Sequence, residues 1–157
     1  MSDKQDGTLP IRKRPAHGVL RILGQPVIVF ITACTKDRAK WLADPTVHDH
    51  LRSAWSATPG WRVGRYVIMP DHVHLFASPE GDDVSLDDWM HRWKAEFRRL
   101  HGDPRRRWQA GHWDRRLRRS ESYHNKWHYV RENPVRHGLV ADSDDWPHQG
   151  EIHAFWW

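Results

Sequence analysis

Hydrophobic and polar positions switch period along this chain, and each switch marks an element. Val27-Ile28-Val29-Phe30-Ile31-Thr32 is a β-branched, almost continuous apolar run and predicts a buried strand. Val47, Leu51 and Trp55 then recur at helical spacing. Asp44-Pro45 in front of them supplies an N-cap and a first-turn proline, so a helix is expected over 45–57, closed by Pro59-Gly60. Two strand-like runs follow, Arg62 to Met69 and His72 to Ala77, with Met69-Pro70-Asp71 between them as the turn of a tight hairpin. Ser85-Leu86-Asp87-Asp88 resembles a capping box. Behind it Leu86, Trp89, Met90, Trp93, Phe97 and Leu100 form the apolar stripe of an amphipathic helix that His101-Gly102-Asp103-Pro104 ends. A further strand falls within 108–118. A last helix runs from a cap at Ser120 or Ser122 to about Glu132, where Pro134 stops it.

Strand, helix, strand, strand, helix, strand, helix is an α+β order. Its first six elements match the ferredoxin-like βαββαβ arrangement: an antiparallel sheet with helices on one face, here followed by a C-terminal helix that bears Tyr129. At 157 residues the chain has room for one such unit. The expected organisation is a basic arm over 1–24, a folded unit over 25–141 and a tail of little periodicity over 142–157.

Charge narrows the function classes. Twenty-five Lys and Arg stand against 20 Asp and Glu, a net charge of +5. The sequence pI is near 9.7, the usual footprint of a nucleic-acid partner. Eleven tryptophans supply core, and any that stay exposed can stack on unpaired bases. Cys34 is alone, so no disulfide forms within the chain, which suits a reducing cytoplasm. No apolar stretch approaches the roughly 18 residues of a membrane span. The polar, basic start lacks the apolar middle of a signal peptide. Phosphate-loop, dinucleotide-loop and nucleophile-elbow signatures are missing, as is H-E-x-x-H, and one Cys cannot build a zinc ribbon.

Three constellations can carry chemistry. His72-Val73-His74 in a strand turns both imidazoles to one face, a natural pair of metal ligands; on spacing alone the pair could equally be two polar residues on a solvated face. Tyr129 and Asn133 stand four apart, on one side of the last helix. Tyr129 lies off the core stripe of Tyr123, Trp127 and Val130, while Asn133 could serve only to bond backbone at the helix end. The third is basic: Arg92, Lys94, Arg98 and Arg99 on the outer face of the amphipathic helix, then Arg105 to Arg107 and Arg115, Arg116, Arg118 and Arg119, interleaved with Trp108 and Trp113. A charge run is commonly a solvated face, but interleaved aromatics favour a groove that follows a nucleic-acid backbone.

Two stretches together resemble a known family. Tyr66-Val67-Ile68-Met69-Pro70-Asp71-His72-Val73-His74-Leu75 and Trp127 through Val140, with Gly111 to Arg118 between them, are similar to the REP-associated tyrosine transposases within the HUH single-strand endonuclease superfamily. The resemblance spans about 26–148. It implies that His72 and His74 are the paired metal-binding histidines, Tyr129 the nucleophile and Asn133 the third ligand, with Mg²⁺ or Mn²⁺ as the cation. It also implies hairpins of repetitive extragenic palindromes and their flanking single strand as DNA partners. Arg92, Lys94, Arg98, Arg99, Arg115, Arg116, Arg118, Arg119 and Arg136 would then meet DNA. A monomer in the bacterial cytoplasm, associated with the nucleoid, is expected. The chain departs from the family at His112-Trp113, where an aromatic pair is usual, and at His137, where a small residue is. Two other readings remain open at this point: a hairpin-binding protein that no longer cleaves, and a metallohydrolase in which Tyr129 is structural.

Overall fold

The computed structural model describes residues 27–118 and 122–155. The arm over 1–24 and Arg119 lie outside the described residues. Five strands, β1 (Val29–Cys34), β2 (Trp61–Ile68), β3 (His72–Pro79), β4 (Trp113–Arg116) and β5 (Gln149–Glu151), form one sheet in the order β4-β1-β3-β2-β5. Every neighbouring pair is antiparallel. The helices are α1 (Pro45–Ala57), α2 (Leu86–His101), α3 (Tyr123–Arg131) and α4 (Asn133–Arg136). The α+β class and the βαββαβ element order are those the periodicity predicts.

The first two helices start and stop where their local chemistry directs. Asp44 accepts from the amides of Thr46 and Val47 at the head of α1, and Ser85 accepts from the Asp88 amide at the head of α2. Gly102 closes α2 in the left-handed region (φ 70°), its amide bonded to the Arg98 carbonyl.

Strand alternation then divides the core in two. Val29, Ile31 and Ala33 of β1 and Val73, Leu75 and Ala77 of β3 face α1 and α2, where Trp55, Trp89, Trp93 and Phe97 cover them. Ile28, Val67 and Phe76 face the other way and are covered by Tyr123 and Val130 of α3 and by Trp146. The predicted helix pair thus shares one face, and the tyrosine-bearing helix closes the opposite one. Its anchor is the Tyr123 hydroxyl, which accepts from the Arg65 amide at 3.0 Å beside an irregularity in β2 between Val63 and Tyr66.

Three boundaries differ from expectation. The strand predicted within 108–118 shrinks to Trp113–Arg116, with Trp108 making only an isolated bridge to Thr35. Pro134 does not end helical structure. The chain breaks at Glu132 and Pro134 opens the short α4, where a proline's missing amide costs nothing. The segment after 141 adds β5 to the sheet, held by the Trp146 indole donating to the Ile68 carbonyl at 3.0 Å and by the Ile68 amide donating to His148 at 2.8 Å.

Candidate active site

The β3 alternation points His72 and His74 at the α3 face, with Phe76 beneath them in the core. Their rings stand 4.7 Å apart, edge to face. His72 is nearly buried, and its Nδ1 lies 2.7 Å from Asp71 Oδ1. The other Asp71 oxygen accepts from Arg38 Nε at 2.9 Å, and Arg38 Nη1 reaches Cys34 Sγ at 3.2 Å. Asp37 and Arg38 both hold left-handed backbone (φ 57° and 55°), a conformation disfavoured for residues with a Cβ. The strained turn is fixed by Thr35, whose amide donates to the Asp71 carbonyl at 3.0 Å and whose hydroxyl donates to Ala39 O at 2.8 Å. His74 is held from the neighbouring strand, its Nδ1 2.8 Å from Thr32 Oγ1.

These surroundings set the charge states. Burial holds the His72 imidazole below its ordinary range, with Asp71 only partly opposing it. Burial, then the nearby charges of His72, Lys126 and Arg136, push His74 down to about 3. Both rings are therefore neutral near pH 7. Burial raises the Asp71 carboxyl, but the hydrogen bonds from His72 and Arg38 outweigh it and leave Asp71 below the usual carboxylate range. Each ring spends Nδ1 on a protein partner and leaves Nε2 for another, the arrangement by which a carboxylate or hydroxyl orients a metal-binding histidine.

Above the pair stands Tyr129 on α3, 63% exposed. A continuous set of ring and cation contacts joins it to the histidines. The Phe30 ring stacks on His74 at 5.2 Å, the Lys126 ammonium lies 5.1 Å from Phe30 and 5.7 Å from Tyr129, and the Arg136 guanidinium lies over the Tyr129 ring at 4.2 Å. Arg136 also donates to the Tyr129 carbonyl and to Asn133 Oδ1, tying α4 back onto α3 across the break at Glu132. Asn133 thus sits beside Tyr129 through Arg136, one element further along than the sequence suggests.

Two neutral imidazoles whose Nε2 atoms have no partner among the described residues are a donor pair that suits a divalent cation, whereas Asn133 Oδ1 is engaged by Arg136. Among the described residues no cluster of three or more His, Cys, Asp and Glu side chains could hold a metal ion.

The structure separates the basic residues that the sequence grouped. Arg92, Arg98 and Arg99 are exposed on α2, across the sheet from Tyr129, and Arg99 pairs with Glu96. Lys94 does not point outward: its ammonium donates to the carbonyls of Gln109 at 3.2 Å and Gly111 at 2.9 Å, and burial lowers it to about 8. In β4, Trp113 and Arg115 register with Thr32 and Phe30 and so share the histidine face, whereas Arg116 registers with Val29 and faces the other way. Arg118 is exposed just beyond β4. Of the nine tryptophans among the described residues, Trp113 alone is exposed (52%), and it lies in the row that runs through Thr32 to His74. Sequence reasoning missed Thr32, Arg38, Phe30 and Lys126. Lys126, three residues before Tyr129, could have been found from helix spacing. The others depend on strand register and a strained turn that no periodicity announces.

A five-stranded antiparallel sheet with a histidine pair under a tyrosine-bearing helix is a transposase-like fold, and solved structures share it. One solved structure, of a REP-associated tyrosine transposase bound to a REP hairpin, superposes with a TM-score of 0.65 at 24% identity, over 79% of this chain and 75% of that one. Another, a Deinococcus radiodurans protein provisionally named as a transposase, gives 0.50 at 18% identity, over 74% and 93%. In sequence, the REP-associated tyrosine transposase of Escherichia coli K12 is 33% identical over 91 residues, 55% of this chain and 52% of that protein. A Haemophilus influenzae protein provisionally given the same name is 27% identical over 137 residues, 77% of each chain. The match to the first of these relatives thus spans about half its length. No protein-family model matches the chain. The resemblance to REP-associated tyrosine transposases read from the motifs is found again in curated relatives and in fold.

Proposed function

We propose that this chain is a member of that family and cuts and rejoins single-stranded DNA beside palindromic hairpins, with Tyr129 as the nucleophile and a divalent cation, Mg²⁺ or Mn²⁺, as its cofactor. The observation that carries the reading is the exposed Tyr129 hydroxyl group on the helix that packs over a neutral, Nε2-presenting histidine pair. A binding protein has no use for that combination, and a hydrolase has no use for the tyrosine.

The phenol oxygen attacks the scissile phosphorus as it gives up its proton, the P–O3′ bond breaks to leave a 5′-phosphotyrosine, and the departing 3′-oxygen takes up a proton to become a 3′-hydroxyl. Rejoining is the reverse: a 3′-hydroxyl attacks the phosphotyrosine and returns the proton to the phenol oxygen, so no nucleotide cofactor is consumed. A phenol is a weak nucleophile at neutral pH, so the surroundings must help. His72 and His74, with Asn133 once its amide oxygen is released from Arg136, would hold the cation, which withdraws charge from the phosphate when bound. Asp71 and Thr32 keep the two rings in the orientation that presents Nε2. Arg136 and Lys126 place positive charge beside the phenol, where they favour the approach of a phosphate and stabilise a developing phenolate. Trp113 and Arg115 extend the same face and suit an unpaired strand. The family reading carries with it a monomer in the bacterial cytoplasm, close to the nucleoid.

The test is incubation with labelled single-stranded DNA carrying a palindromic repeat, in Mn²⁺, followed by denaturing electrophoresis. Wild type should retain the label as a covalent adduct, and Tyr129→Phe should form none while still binding the hairpin within a few-fold. Cleavage without an adduct would transfer the assignment to a hydrolase using the His pair. Adduct formation by Tyr129→Phe would remove Tyr129 from the chemistry.

A further inference from the structure

Across the sheet from Tyr129, α2 and the loop over 102–111 line an open cleft of about 740 Å³. That is the size of a ligand site rather than of a packing defect, for which voids of one or a few waters are usual. Its wall carries Lys94, Arg98, Arg106 and Arg107 against one carboxylate, Asp103, which Arg105 already engages at 3.1 Å. Lys94 is scaffold: its ammonium pins the loop through the carbonyls of Gln109 and Gly111. Arg106 is occupied too, over the Trp41 ring and against His101. Two cations are left over. Among the described residues Arg107 uses only Nε, on the Pro104 carbonyl at 3.0 Å, and keeps both terminal nitrogens. Arg98 has no hydrogen-bond or ion-pair partner among the described residues. A cation in the last turn of a helix favours the helix dipole, which accounts for Arg98 alone but not for Arg107 or for the cleft.

The position of the cleft narrows its ligand. The loop is tied to the end of β1 by the Gln109 amide on the Cys34 carbonyl at 2.9 Å and by the Lys36 amide on the Arg107 carbonyl at 2.9 Å. Cys34 is also the residue in register with His72. The cleft and the histidine pair therefore meet the same end of the sheet from opposite faces. A small anion would use one site or the other, whereas a polymer passing round that end engages both.

We propose that the cleft is a second nucleic-acid site, in which the guanidinium forks of Arg98 and Arg107 hold backbone phosphates of the DNA whose other part lies at Tyr129. This rests on the DNA-processing reading above. The test is fluorescence anisotropy of a labelled DNA hairpin with a single-stranded flank, titrated with the full chain at several NaCl concentrations. Arg98→Ala/Arg107→Ala should bind at least tenfold more weakly at moderate salt and flatten the salt dependence by roughly 1.4–1.8 in log–log slope, two phosphates' worth of counterion release. Arg98→Lys/Arg107→Lys should keep the slope and lose affinity several-fold, since the charge remains without the fork. If the double Ala variant proves unfolded by circular dichroism, Arg107→Ala in the exposed loop should alone lower the slope by roughly 0.7–0.9. An unchanged slope in a folded Ala variant overturns the inference and leaves the catalytic reading standing. So does loss of ADP binding with DNA binding intact, which would make the cleft a free-nucleotide pocket. A wild-type chain that binds no DNA at any salt would overturn the catalytic reading, and this one with it.

Discussion

At the scale of single residues, the site is governed by what fixes the histidines. His72 would be a poor ligand if its ring could rotate or if Nδ1 and Nε2 exchanged roles. Asp71 prevents both, and Arg38 prevents Asp71 from turning away. The cost is two consecutive left-handed residues, held in place by the flanking Thr35 and Lys36 amides, which donate to the Asp71 and Arg107 carbonyls. Asp71→Ala should weaken divalent-cation binding about 10–100-fold, the usual effect of removing a partner that orients a ligand, with Arg38→Ala in the same direction but smaller. Calorimetric titration with Mn²⁺ measures this without any DNA, and equal affinity in all three proteins would refute the relay. The sequence displays Asp71 next to His72, so half of this device could be read. Arg38 is 33 residues away from Asp71, and no spacing rule links them.

At the scale of elements, what the chain advertised locally it also built. Caps at Asp44 and Ser85 and a stop at Gly102 are contained in a few neighbouring residues, so α1 and α2 were legible to within a residue or two. The last helix was less so, because Pro134 has two uses, ending one helix or opening the next, and only the packing of Arg136 against Tyr129 and Asn133 selects the second. Gln149-Gly150-Glu151 has no strand-like pattern at all and becomes β5 through backbone pairing with β2. The seat of α3 can be tested directly. Gly64 lies where an added Cβ would meet the Phe155 ring at 2.6 Å and the Tyr123 hydroxyl at 2.8 Å. Gly64→Val should cost about 1–3 kcal/mol, as overpacking does, and should disturb α3 first. Denaturant midpoints and the accessibility of Tyr129 to iodination report the two effects, and a fully native Gly64→Val would mean that α3 is seated elsewhere.

At the scale of the molecule, one sheet serves two layers, a tryptophan-rich core under α1 and α2 and a thinner one under α3 that carries the site on its rim. Burial also governs the histidines across the molecule. His48, His72, His74 and His148 all lie below their ordinary range, with burial the leading cause in each. A ring kept neutral in the fold but free to protonate when unfolded favours folding fully above its unfolded pKa of about 6.5, and that contribution drains away as pH falls toward the folded value. Thermal midpoints should therefore be level from about pH 8 to 7 and drop steadily between pH 6.5 and 5, before most carboxylates titrate. A flat profile over that interval would contradict the burial of these rings. The pairing of His72, His74 and Tyr129 could be anticipated from motif order; which face of the sheet they share could not, since that follows from register across strands far apart in sequence.

The margins of the sheet have a consequence of their own. A sheet built around so much aromatic surface invites stacking of one copy onto the next through its open edges, the usual route into insoluble β-aggregates. Among the described residues one margin is β4, four residues reading Trp-Asp-Arg-Arg, and the other is β5, three residues reading Gln-Gly-Glu. Both are short and charged, and β5 contains a glycine that weakens strand pairing. Neither offers a ladder long enough to recruit a neighbour. Short, charged margins of this kind oppose edge-to-edge pairing between copies.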